Sequence, residues 1–73
     1  MKTLSKFLTG KVVYFDRSRA FGFIQTDGSG IRCFFHRTNQ VNQNDWLSDG
    51  DHVAFDTMED DQGRIKAVNV ERL

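Results

Sequence analysis

Short runs of β-branched and aromatic residues, separated by polar turn-formers, dominate this chain and predict strands. Lys11–Asp16 (KVVYFD) is the first run, and Ala20–Thr26 (AFGFIQT) follows a polar turn at Arg17 and Ser18. Asp27-Gly28-Ser29-Gly30 supplies residues that tolerate positive φ, which predicts a hairpin leading into Ile31–His36. Residues 38–50 form a long polar connection around Trp46 and Leu47, with room for one helical turn. His52–Thr57 and Ile65–Val70 complete the set, joined by an acidic turn at Glu59–Gly63. Five short strands, three before a long loop and two after it, predict an all-β, small five-stranded antiparallel closed barrel. Closure removes exposed sheet edges, which a chain without proline has few other means to protect. The expected inward set is Val12, Ile24, Ile31, Cys33, Phe35, Val53, Phe55, Val68 and Val70, with Ala67 at a tightly packed point. Strict alternation cannot place Val12 and Phe15 inside together, which leaves the facing of Val13, Tyr14 and Phe15 open; a bulge there would resolve it.

The same alternation leaves a second set of rings without a place inside. Side chains of a strand point to opposite faces in turn, so Phe21 and Phe23 share one face, as do Phe34 and His36. If the two strands pair through the Gly-rich turn, four flat rings converge opposite Ile24, Cys33 and Phe35. A chain of 73 residues buries only about 60% of its unfolded surface, too little to cover both faces of this sheet. Exposed rings near Arg19, Arg32 and Arg37 make a stacking platform for unpaired bases.

Net charge is zero, but its distribution is not even. Residues 1–37 hold seven Lys and Arg against two Asp, while residues 38–73 hold three against eight carboxylates. The positive half carries the clustered rings, and local potential rather than the total steers a charged ligand. Cys33 is the only cysteine, which argues against disulfide staples and fits a reducing, cytoplasmic setting. No apolar run approaches the ~20 residues that span a bilayer, and the N-terminal apolar stretch is too short for a secretory signal. Cys33 and His36 fall on opposite faces of one strand, which rules out a thiol–imidazole pair and leaves no metal-ligand set. With no acid–base pair, nucleophile or phosphate loop in view, neither catalysis, a cofactor nor a small-molecule substrate is expected.

Arg19-Ala20-Phe21-Gly22-Phe23-Ile24 and Cys33-Phe34-Phe35-His36-Arg37 resemble the two ribonucleoprotein motifs of the cold-shock domain family. Gly10–Asp16 is similar to that family's opening strand, and Asp49-Gly50…Val53…Phe55 with Ala67–Val70 to its last two. The resemblance covers about Gly10 to Val70, leaving residues 1–9 as an N-terminal extension to a domain of residues 10–73. It implies an oligonucleotide-binding barrel (OB-fold) that binds single-stranded RNA or DNA without strict sequence preference, commonly as an RNA chaperone. By position, Tyr14, Phe21, Phe23, Phe34 and His36 would stack on bases, with Lys11 and Arg19 as basic neighbours. This chain departs from the family pattern at several places. Tyr14 stands for a Trp, Ala20 for a Gly, Arg37 for an aromatic, Val13 for a frequent Lys and Asn44 for a frequent Phe. A guanidinium at Arg37 can still stack or pair with phosphate, and Trp46 either restores the lost loop contact or pins the loop to the barrel. Phe7 and Leu8 are expected to pack locally or against a neighbouring chain, so a monomer is the expectation and a homodimer stays open. The rival reading is a barrel that has lost base binding and serves as a protein-interaction or oligomerisation module.

Overall fold

The computed structural model describes residues 2–73, with side chains from Leu4 onward. Its strands are β1 (Lys2–Asp16), β2 (Phe21–Thr26), β3 (Arg32–His36), β4 (His52–Glu59) and β5 (Ile65–Arg72). They close into a barrel in the order β1-β2-β3-β5-β4. Four seams are antiparallel, and the closing seam between β3 and β5 is parallel and narrow, with Phe34 opposite Lys66. A second parallel bridge, Gln40 to Val70, continues that closure beyond β3. A 3-10 turn at Arg37–Asn39 follows β3. No helix among the described residues is long and apolar enough to cross a membrane.

β1 begins nine residues before the strand expected at Lys11, because its two halves serve different partners. Lys2 to Lys11 pair with β4, and Gly10 to Asp16 pair with β2. Gly10 sits where the strand changes partner. A Cβ there would lie 2.5 Å from the Gln25 carbonyl oxygen and 2.8 Å from Ile24 Cγ2, so a side chain would force the sheets apart. Lys2–Thr9, with Leu4, Phe7 and Leu8 spaced irregularly among polar residues, gives little local strand signal, and it is the ladder to β4 that makes it a strand. β4 and β5 likewise run past their expected ends, to Glu59 and Arg72.

The core is Val12, Ile24, Cys33, Phe35, Leu47, Val53, Phe55, Ala67 and Val70, with Leu8 and Phe15 packed against it. A bulge resolves the facing of β1: the register shifts between Val12 and Tyr14, so Val12 points inward while the Phe15 ring stacks 5.7 Å from Phe35. Two expected core residues are corrected. Ile31 is 63% exposed, because β3 starts only at Arg32 and Ile31 belongs to the hairpin turn, its carbonyl accepting from the Thr26 N–H at 2.8 Å. Val68 is only half-buried, because Asn69 adopts a left-handed φ of 52° and breaks the alternation. That bulge turns Ala67 and Val70, three residues apart, to the same inner face. Leu47, inside the polar connection, is buried and joins the core.

Candidate nucleic-acid interface

Three strands put the ring-bearing residues on the outer wall in ordered rows. Lys11, Gln25 and Arg32 are cross-strand partners in the first row, Tyr14, Phe23 and Phe34 in the second, and Asp16, Phe21 and His36 in the third. The bulge after Val12 brings Tyr14 into the second row; without it, alternation would present Val13 there. Gly22 lies between Phe21 and Phe23 on the inner side. A Cβ on it would collide with the Tyr14 carbonyl oxygen and come within 2.9 Å of the Phe15 ring. The missing side chain therefore lets β1 and β2 approach closely enough for the rings to meet.

The rings do meet. Phe21 lies 5.6 Å from Phe34, 6.2 Å from Phe23 and 6.4 Å from Tyr14, and Phe23 lies 5.9 Å from Phe34, all in tilted or edge-to-face pairs. These are the separations at which aromatic pairs attract. Tyr14 is 46% exposed and Phe34 37%, while Phe21 and Phe23 are half-buried, chiefly by one another. None belongs to the core. The outcome is an apolar, ring-paved surface with its faces partly open to solvent.

His36 sits opposite Phe21 in register and caps the following 3-10 turn. Its Nδ1 accepts from the Thr38 backbone N–H at 3.2 Å and lies 3.1 Å from the Thr38 hydroxyl. Arg19 belongs to the β1–β2 turn, which Asp16 builds by accepting from the Ser18 N–H, the Ser18 hydroxyl and the Arg19 N–H at 2.7 to 3.2 Å. The Ser18 hydroxyl first, then these backbone donors and the Arg19 charge, hold the Asp16 carboxyl below its ordinary value, against a smaller opposing effect of desolvation. Ala20 ends this turn at φ 60°, a left-handed position where a Cβ is strained. Lys11, Arg19 and Arg32 form no ion pair among the described residues.

Arg37 and Trp46 stand apart from the four rings. The Arg37 guanidinium lies 4.8 Å from the Trp46 ring centre and donates to the Gln43 carbonyl at 2.7 Å. Trp46 meets Phe15 edge-on at 6.0 Å, so it pins its loop to the barrel while 39% of it remains exposed. Arg17, which sequence pattern did not single out, approaches the same indole at 6.0 Å. Arg72 clamps the far side of the loop: its Nε and one terminal nitrogen donate to Asp45 at 2.9 and 2.8 Å, and the other terminal nitrogen lies 2.9 Å from Asp51. Hydrogen bonding to Arg72 holds Asp45 below the usual carboxylate range, and Asp45 in turn raises Arg72. The acidic half of the chain thus spends several carboxylates on bonds within the protein: Asp49 accepts from the Phe15 N–H of β1, and Asp60 from the N–H groups of its own turn. Among the described residues no group of three or more His, Cys, Asp or Glu is arranged to hold a metal ion.

Residues 8–73 match the model of the "Cold-shock" DNA-binding domain. Over 63 residues the chain is 38% identical to Cold shock protein 1 of Arabidopsis thaliana, a stretch covering 85% of this chain and 21% of that protein. The chain therefore spans about a fifth of that plant relative. Over 64 residues it is 38% identical to Cold shock-like protein CspA of Rickettsia bellii, covering 86% of this chain and 90% of that one.

Proposed function

The chain belongs to the cold-shock domain family, a nucleic-acid-binding fold, and on that footing we propose that it binds single-stranded RNA or DNA by stacking bases on its outer rings. The observation that carries this reading is the solvent-facing cluster of Tyr14, Phe21, Phe23 and Phe34, with neighbouring rings 5.6 to 6.4 Å apart. On this reading His36, Lys11 and Arg19 are further contacts, and Arg37 and the exposed part of Trp46 add a second, separate contact point on the loop.

Magnitudes support the reading. Each base stacked on an aromatic contributes ~1–3 kcal/mol, so four contacts supply roughly 4–12 kcal/mol before the strand is ordered. Ordering and lost tumbling cost several kcal/mol, and a micromolar complex requires about 8 kcal/mol. Binding near micromolar therefore needs most of the rings, with the loop contact point adding to it. A duplex hides its base faces, so single strands are preferred and weak hairpins are drawn open passively, an RNA-chaperone action that consumes no ATP.

Titration with a pyrimidine-rich single-stranded oligonucleotide tests this directly. Fluorescence of Tyr14 and Trp46 is expected to be quenched by the single strand and much less by the matched duplex. Equal affinity for the two forms would replace stacking with plain electrostatic attraction.

A further inference from the structure

Phe34 has a neighbour that no sequence pattern could assign to it. Across the parallel seam it pairs with Lys66 of β5, 32 positions away, so the second row of the outer wall reads Tyr14, Phe23, Phe34, Lys66. Beyond Phe34 the wall does not end. It opens into a cleft of about 310 Å³ lined by Phe34, Asp60, Arg64, Ile65 and Lys66. One edge of the cleft is thus a ring of the stacking cluster, and its far side is the turn between β4 and β5.

Two of the three charged side chains that line the cleft are cations. Asp60, its one lining carboxylate, is occupied: Oδ1 accepts from the Gln62 and Arg64 N–H groups at 2.9 Å, and Oδ2 from Arg64 Nε at 3.0 Å. Arg64 is thereby held in place, its charge largely offset by Asp60. Lys66 forms no ion pair among the described residues, and neither does Arg32, two positions before Phe34 on the same outer face of β3. The seam thus offers two unpaired cations, one from each strand, around an exposed ring.

We infer that a bound single strand leaves the three-strand face over the β3–β5 seam, with Lys66 and Arg32 contacting its phosphates and the cleft receiving the nucleotide that follows the one stacked on Phe34. This rests on the stacking reading above and extends its path by a nucleotide onto β5. Each neutralised phosphate adds about 0.7 to the magnitude of the slope of log affinity against log salt for single strands.

The test compares a deoxythymidine trinucleotide with an octanucleotide, by anisotropy at two salt concentrations. The proteins are the unaltered chain and Lys66→Gln, each with its thermal melt recorded. The trinucleotide fills the ring cluster alone, so its affinity should stay within about twofold in the Lys66 variant. The octanucleotide should lose about three- to fivefold at low salt, and the variant should flatten its slope by about 0.7. Equal losses at both lengths, or an unchanged slope, would overturn the path while leaving stacking intact. If the unaltered chain bound neither oligonucleotide, the stacking reading itself would fall, and this path with it.

Discussion

Phe34 and Phe35 are adjacent in sequence and opposite in fate. Phe35 is fully buried, while the Phe34 ring packs on Phe21 and Phe23 outside the core and keeps 37% of its surface in solvent. Phe35→Ala should cost about 3–5 kcal/mol of stability, the usual range for emptying a core phenyl site. Phe34→Ala should cost well under that, because it opens no internal cavity, and should weaken single-strand binding by about 1–3 kcal/mol. Urea unfolding and oligonucleotide titration of both variants provide the check. Comparable loss of stability in the two, with binding by the Phe34 variant intact, would reverse the assignment of faces. This difference was legible in the sequence, since period-two alternation separates adjacent residues by face.

Asp56 shows what one side chain does for neighbouring elements. It lies on β4 and reaches both flanking strands: Oδ1 accepts from the Phe7 N–H of β1 at 3.0 Å, and Oδ2 from the Asn69 amide of β5 at 2.8 Å. Both partners have left-handed φ, 59° and 52°, so the carboxylate ties two bulges on either side of its own strand. The Asn69 bulge is the one that brings Ala67 and Val70 inward together. Asp56→Ala should therefore lower stability by about 1–2 kcal/mol, two hydrogen bonds partly replaced by water, with a matching fall in the urea midpoint. An unchanged midpoint would mean the bulges hold without it. No part of this was readable beforehand, because Phe7, Asp56 and Asn69 meet only once three strands are in register.

At the scale of the molecule, charge is sorted by role. Carboxylates at Asp16, Asp45, Asp56 and Asp60 are each held below their ordinary value of 3.8. Ser18, Arg72, Asn69 and the Arg64 N–H are the leading causes in turn. A carboxyl depressed in the folded state takes up its proton first in the unfolded chain. The stability it contributes is full above the unfolded value and is lost as pH falls through the folded one. Urea midpoints should therefore be level from about pH 6 to 5 and fall steadily below about pH 4. A midpoint that rises on acidification would contradict the sign. Arg72→Met should shallow the fall, since Asp45 would lose its main source of depression.

The sequence by itself determined the strand count, the hairpin pairing of β2 with β3, most of the core and the face on which the rings stand. These follow from period-two alternation and turn chemistry, which act between residues close in the chain. Tertiary structure decided the rest: the long β1, the inward turn of Leu47, the exposure of Ile31, the docking of Trp46 on Phe15, and the place of Lys66 beside Phe34. Each depends on a bulge, a strand end or a seam between distant segments. A bulge shifts every later side chain to the other face, and only pairing in three dimensions fixes where it falls.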